Sequence, residues 1–523
     1  MIRFFYALLG GFLLGVGFVI LPFWPLALIG IVPILHALGG AKSNKDAFLL
    51  GWISGFSLYG CAVFAIFWHT LPLDWLPVFP FWFQVLLVAI SWALTAAGLA
   101  LSIGVFGLAA HKLASNSWLD IFIISAAWVL SEWIAMWEFS LQNAGPGSVL
   151  GAHFGLGLVG NLLSRDASLL QVAWLGGVYL LSFLAIACGV LVYRIIYAGQ
   201  KERQILVGIL LVATVSWGVG HAFLLRTPAP SGAGVRIAAI STQDPPVFYA
   251  TAEDSQRTFD AISKVLPQTR GADVLILPES TGFLSTLQMN RRQFLMGIFA
   301  TSSIPAIVDS ETVRTNPTFL QSRLEYYDLR GHDTSIRFKY FLLPDGEYVP
   351  YFYTLLIRML GQGKALDQVA EHRGFLAGAY PEPIQVRELS TAVLFCNEAL
   401  SPSLYSSLAR KGAQVFINVA SHSWFHGSRL VAQQMRDVSK IRAVESRRWY
   451  VQATDVAQSF VLDPYGRVAT STVWGSVGAI RATIYPRNDG TPHVRFNTWV
   501  LWVCTLFLVS RVYTRVNVRK WAP

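Results

Sequence analysis

The residues best suited to chemistry stand at the ends of three short apolar runs. Val274-Leu275-Ile276-Leu277 leads into Pro278-Glu279, Val393-Leu394-Phe395 into Cys396-Asn397-Glu398, and Val415-Phe416-Ile417 into Asn418 and then Ser421-His422-Ser423. If these runs are strands of an α/β sheet, the polar residues collect in the crevice beyond the strands' carboxyl ends, where ligands bind. A thiol attacks a carbonyl once a base has taken its proton, and a nearby cation stabilises the oxyanion that results. Glu279 and Lys339 offer those two functions to Cys396 without a histidine. Each residue also has a plainer reading: a strand-end carboxylate, a solvated lysine, a buried spectator thiol. For Glu279, the proline before it and Cys396 downstream favour the catalytic one. His422 and His426 lack a second ligand pair at a metal-site spacing, so no metal is expected. Ser421 and Ser423 lack the Gly-x-Ser-x-Gly setting of a serine nucleophile.

The elements that must position these residues begin with a membrane part. The 523 residues are 54% hydrophobic and only 13% charged, about half the charge of a soluble domain. This excludes a disordered chain, a disulfide mini-protein and an ordinary cytosolic enzyme. Charge is concentrated in residues 227–495, with 27 Lys+Arg against 23 Asp+Glu. Apolar runs at about 4–22, 24–40, 47–68, 83–110, 118–138, 168–193, 204–225 and 497–513 read as eight membrane spans. The second is short and contains Pro33. The first is read as a span rather than a signal peptide, because no small-residue cleavage site follows it. Phe79, Phe81 and Trp82, and Trp133 and Trp137, suit an interfacial aromatic belt. With the N-terminus inside, Arg3, Lys42, Lys45, Lys112, Arg194, Lys201, Arg203, Arg511, Arg515, Arg519 and Lys520 all lie on the cytoplasmic side, and Arg165 alone among short loops lies outside. Both termini are then cytoplasmic and residues 227–495 extracytoplasmic. The basic pI of 9.4 follows from this topology, and no nucleic-acid partner is expected.

Three domains result: a seven-span part at 1–226, a soluble insert at 227–495, and a closing span with a basic tail at 496–523. Thr227-Pro228-Ala229-Pro230-Ser231-Gly232 reads as a linker. Beyond it, strands are expected at 235–240, 274–277, 393–395, 415–417 and 460–462, and helices at 252–265 and 428–448. Asp463-Pro464-Tyr465-Gly466 reads as a hairpin turn. Alternating strands and helices give a layered α/β domain. Residues 351–360 are core or a membrane-facing lid, and Trp424 and Phe425 are core or pocket lining. The Gly-rich loop 139–167 reads as an interfacial re-entrant or surface segment. Cys61, Cys188 and Cys504 fall inside predicted spans, so Cys396 is the one cysteine of the insert. Structural cysteines outside the cytoplasm normally pair, which leaves a spectator or a reactive thiol.

Glu279, Lys339 and Cys396, in that chain order, resemble the triad of the nitrilase (carbon–nitrogen hydrolase) superfamily. More specifically, the chain resembles the apolipoprotein N-acyltransferase family, the superfamily's membrane-anchored branch. Leu277-Pro278-Glu279, Lys339 followed by Leu343-Pro344-Asp345-Gly346-Glu347-Tyr348-Val349-Pro350, Phe395-Cys396-Asn397-Glu398, Trp424-Phe425 and Ala443-Val444-Glu445 carry the likeness. The resemblance implies a helical membrane bundle of about eight spans plus an αββα sandwich in a bacterial inner membrane, with the sandwich on the periplasmic side. It implies Glu279 as general base, Cys396 as a nucleophile acylated by a phospholipid, Lys339 at the oxyanion, and Glu347 and Glu398 as orienting groups. The acceptor would be the N-terminal amine of a diacylglyceryl-cysteine apolipoprotein, with no cofactor and a monomeric enzyme. The chain departs from the family pattern in having Asn397 where a Tyr follows the nucleophile. It also has Ser421-His422-Ser423-Trp424-Phe425 for Asn-Asp-Ala-Trp-Phe, and Gly145-Pro146-Gly147 for an aromatic-rich loop. These positions, with Asn397, Ser421, Trp424 and Phe425 as pocket candidates, bear on substrate identity. The alternatives are a specialised paralogue such as the conjugal-transfer-associated members, a tethered nitrilase-type amidase, or a non-catalytic membrane scaffold.

Overall fold

A computed structural model describes every residue except 75–79, 116, 198, 225–226, 228–231, 245–250, 284–303, 316–318, 329–333, 360, 362, 371–373 and 521–523. Phe79, Leu360 and most of the expected linker lie outside the described residues.

Helices stand at all eight apolar runs: Ile2–Val19, Ile31–Gly39, Asn44–Ala62, Phe81–Leu113, Asp120–Gln142, Ala173–Tyr197, Gln200–Leu224 and Trp499–Lys520. Among the described residues, five helices are long and apolar enough to cross a membrane, or six if the bent pair Leu21–Leu28 and Ile31–Gly39 is one span. The expected count of about eight is not confirmed by them. The second run breaks by 42° because its first piece is a 3-10 turn with Pro25 inside it. Proline removes a backbone donor and does not fit a helix interior. Lys45 and Asp46 shorten the apolar part of Asn44–Ala62. Small residues let the helices approach closely, as is usual where burial alone does not drive association. A Cβ on Gly11 would lie 2.0 Å from Ser54 O, and one on Gly51 2.3 Å from Ile103 O.

The insert builds two six-stranded sheets. The first contains β1 (Val235–Ser241), β2 (Val274–Ile276), β3 (Ala306–Arg314), β4 (Leu320–Asp328), β5 (Thr334–Phe338) and β12 (Gly478–Ile484), in the order β12-β1-β2-β3-β4-β5. The second contains β6 (Ile384–Val386), β7 (Leu389–Phe395), β8 (Val415–Ala420), β9 (Trp449–Thr454), β10 (Phe460–Leu462) and β11 (Val468–Ser471), in the order β11-β10-β9-β8-β7-β6. In each sheet three central strands run parallel, and antiparallel strands flank them.

The two-residue period of the strands decides the layers. Val393, Phe395, Ile417 and Val451 point between the sheets, with Ile237, Ile276 and Val308 facing them. Ala238, Ile240, Leu275 and Ile307 point the other way, onto helix Ala252–Val265. That helix starts in a capping box between Thr251 and Asp254, which satisfies donors its first turn leaves free. Leu394, Phe416 and Tyr450 face helices Leu404–Arg410 and Arg429–Ser446. The result is an αββα sandwich, one of whose helical layers shares a single apolar core with the membrane helices, including Leu58, Phe106, Trp128 and Ile186. Polar ties cross this junction: Arg165 Nε donates to Asp437 Oδ2 at 2.7 Å, and Gln434 Nε2 to Phe18 O at 2.9 Å.

The loop that follows helix Asp120–Gln142 is tied to the sandwich: Tyr348 OH donates to Asn143 O at 2.7 Å, and Tyr351 N to Ala144 O at 2.9 Å. Gly147 sits at φ +74°, where a Cβ would lie 2.5 Å from Phe375 O. Residues Tyr351–Met359 form a helix that is not core. Tyr353 is buried, whereas Tyr351, Phe352, Leu355 and Met359 are exposed.

Candidate active site

The chemistry-bearing residues meet because parallel strands of both sheets end on one side. Cys396 directly follows β7 and opens a 3-10 turn, Cys396–Leu400. Glu279 lies just past β2, and its backbone N–H donates to Ala420 O at the end of β8, joining the two sheets. Lys339 directly follows β5, where its N–H donates to Ser322 O of β4 at 3.0 Å.

Lys339 is buried between two carboxylates. Its Nζ lies 3.0 Å from Glu279 Oε1 and 3.0 Å from Glu347 Oε1. Glu347 is held in turn by Ser322 Oγ, which donates at 3.1 Å, and by Leu343 N at 2.7 Å. Buried charges persist where partners compensate their lost hydration. Burial opposes the Lys339 charge, but Glu279 and Glu347 outweigh it and raise the ammonium above its ordinary value. Burial pushes Glu279 up to about 7, Lys339 pulling against it and Glu347 adding to it. Burial and the Glu279 charge push the Cys396 thiol up to about 12, although Lys339 works the other way. The thiol therefore rests protonated, its Sγ 3.6 Å from Ser421 O. A carboxyl near neutrality stands beside it to take the proton as a bond to sulfur forms.

Glu398 is the organising anion of this corner and is fully buried. It accepts Phe395 N at 2.8 Å and Tyr340 N at 2.8 Å, and so ties the nucleophile's turn to the Lys339 loop. Arg337 Nη2 donates to both of its oxygens, at 2.9 and 2.7 Å, while Nη1 donates to Val393 O. Such charge-assisted hydrogen bonds are stronger than neutral ones.

A cavity of about 170 Å³ opens beside Cys396, between the sandwich and the membrane helices. Its wall is mostly apolar, with Phe67, Leu87, Phe139, Tyr353 and Met435 among the lining residues. Asn397, Trp424 and Phe425 are among its lining residues. Ser421 does not: its hydroxyl donates to Asp455 Oδ2 at 2.6 Å and lies 2.9 Å from Ser423 Oγ. Glu279, Lys339, Glu347, Cys396 and Glu398 are all brought together. No group of three or more His, Cys, Asp or Glu residues is placed to hold a metal ion among the described residues.

Sequence reasoning missed Arg337 and Asp455. Asp455 directly follows β9, so the strand-end rule that found Glu279 and Cys396 applies to it too. Its carboxylate accepts His422 N at 2.7 Å and Val456 N at 2.6 Å, and burial raises it to about 6. Arg337 gave no local signal, since its partner stands 61 residues away.

Residues 10–191 match the family described as Apolipoprotein N-acyltransferase N-terminal domain, and residues 236–487 match Carbon-nitrogen hydrolase. An apolipoprotein N-acyltransferase of Pseudomonas syringae pv. tomato is 24% identical, over 95% of this chain and 94% of its own. One from Chromobacterium violaceum is 25% identical over 91% of this chain and 86% of its own. Among solved structures, an amidase of the nitrilase superfamily from Nesterenkonia AN1 is 18% identical with a TM-score of 0.36, covering 52% of this chain and 96% of that one.

Proposed function

Because the chain belongs to the apolipoprotein N-acyltransferase family, we propose that it moves an acyl chain from a phospholipid to the N-terminal amine of a diacylglyceryl-cysteine apolipoprotein, through a thioester on Cys396. The observation that carries this reading is the placement of the Cys396 thiol. It opens onto an apolar-walled cavity at the junction with the membrane helices, and the Glu279–Lys339–Glu347 cluster stands behind it.

In the first half-reaction the Cys396 sulfur attacks the ester carbonyl and its proton passes to Glu279. Lys339 balances the charge on the tetrahedral oxygen. The C–O bond breaks, the glycerol oxygen takes the proton from Glu279, and a lysophospholipid leaves. In the second, the amine displaces the sulfur and an amide forms. Splitting the transfer this way lets donor and acceptor use one site in turn. Glu347 and Glu398 hold Lys339 and Cys396 at their separation, and Trp424 and Phe425 bound the acyl cavity.

The same reading divides the chain into a membrane part at 1–226, a catalytic domain at 227–495 and a closing span and tail at 496–523. It places the catalytic domain on the periplasmic side of an inner membrane, with both termini cytoplasmic and the enzyme a monomer. Intact mass spectrometry of protein purified with its phospholipid tests the reaction. A hydroxylamine-sensitive acyl adduct on wild type and none on Cys396→Ala is expected. No adduct on folded wild-type protein supplied with lipid overturns the reading.

A further inference from the structure

The cavity wall beside the nucleophile carries polar atoms that the proton and oxyanion chemistry leaves unused. Asn397 and His422 both line the cavity and are 6% and 3% exposed. Asn397 donates its amide N–H to Phe341 O at 3.0 Å, and among the described residues its Oδ1 has no hydrogen-bond partner. His422 is fixed by its backbone, through Asp455, while neither ring nitrogen has a partner among the described residues. Burial lowers the imidazole to about 4, so at neutral pH it is uncharged, with one nitrogen accepting and one donating. Buried polar atoms are normally satisfied, and two such groups in one mostly apolar wall mark a place where a ligand supplies the missing hydrogen bonds.

We propose that Asn397 Oδ1 and the His422 imidazole form the subsite that receives and orients the acceptor's primary amine. This rests on the Cys396 thioester reading and adds to it which residues select the nucleophile. The reacting centre of a phospholipid ester has oxygens but no N–H or O–H, so Asn397 Oδ1 and the accepting nitrogen of His422 have nothing to take from it. A neutral primary amine brings two N–H donors and one lone pair. With the N–H bonds turned to Asn397 and His422, the lone pair is left for the thioester carbonyl. The C–N bond forms, the C–S bond breaks, and the proton lost by nitrogen passes to Glu279 and then to the departing Cys396 sulfur. The products are an amide and a free thiol.

The test separates the half-reactions in the full-length protein in mixed detergent and phosphatidylethanolamine micelles. Acylation of Cys396 is followed by intact mass. The isolated acyl-enzyme is then mixed with a short peptide whose N-terminus is S-diacylglyceryl-cysteine. In His422→Leu and Asn397→Leu the ratio of aminolysis to acylation rate is expected to fall about tenfold, and His422→Gln, which keeps an acceptor, recovers most of it. An N-methylated peptide amine, with one N–H fewer, should be about tenfold slower than the primary amine on wild type, with that gap narrowed in the Leu variants. The peptide comparison needs only wild-type protein, so it holds even if a variant folds poorly. An unchanged ratio in both Leu variants, or equal rates for the two peptides on wild type, overturns the subsite alone. No acyl adduct on wild type overturns the thioester reading and the subsite with it.

Discussion

The placement of Lys339 between two carboxylates makes the pH dependence of acylation a test of the proposed base. Glu279 Oε1 and Glu347 Oε1 each lie 3.0 Å from Lys339 Nζ, so they are at most about 6 Å apart. At an effective dielectric of about 20, two like charges at that distance repel by about 3 kcal/mol, or about 2 pKa units. Glu347 is thus one reason that Glu279 stands near 7. In Glu347→Gln the repulsion goes and the amide oxygen can still accept Leu343 N, the bond now made by Oε2. Glu279 must be ionised to take the thiol proton, so the acylation rate climbs as pH passes its pKa. Lowering that pKa moves the acid limb down, from a midpoint near 7 toward about 5. Single-turnover acylation of Cys396, measured by intact mass between about pH 4 and 9, reads this midpoint. A midpoint that stays put or moves up in Glu347→Gln, with the protein still folded, refutes the assignment of Glu279 as the base.

Three further outcomes are expected. Glu398→Gln strips the charge that pairs with buried Arg337 and should destabilise the protein by about 3–5 kcal/mol. Thermal unfolding in detergent checks it, and an unchanged midpoint contradicts the organising role of Glu398. Gly147→Ala meets Phe375 O at a left-handed φ and should cost about 1–3 kcal/mol, whereas Gly151→Ala, with only an ordinary 3.8 Å contact to His153, should leave the melting point unchanged. For topology, a cysteine at Thr315 should react with a membrane-impermeant thiol reagent in intact spheroplasts and one at Lys45 should not, the reverse pattern inverting the proposed orientation.

Much of the fold was legible because its signals are local. The short apolar runs at 235–240, 393–395 and 415–417 became β1, β7 and β8, and the helix expected at 428–448 became Arg429–Ser446. Glu279 and Cys396 were found by a rule that needs only a strand and the two or three residues after its end. The contacts of Asn143 and Ala144 with Tyr348 and Tyr351 left no trace in the sequence, because those partners lie some 200 residues downstream.

Sequence alone determined which residues have the right chemistry: a thiol, a carboxylate and an ammonium in a recognisable order, and apolar runs enough for a membrane part. Tertiary structure alone decided what their environments do to them. Glu279 stands near neutrality, the Cys396 thiol rests protonated and Glu398 anchors two loops, because burial and partners distant in sequence set those energies. The cavity belongs to neither part of the chain. It exists because a helical layer of the sandwich and the membrane helices share one apolar core, and a wall made by two distant segments leaves no pattern in either.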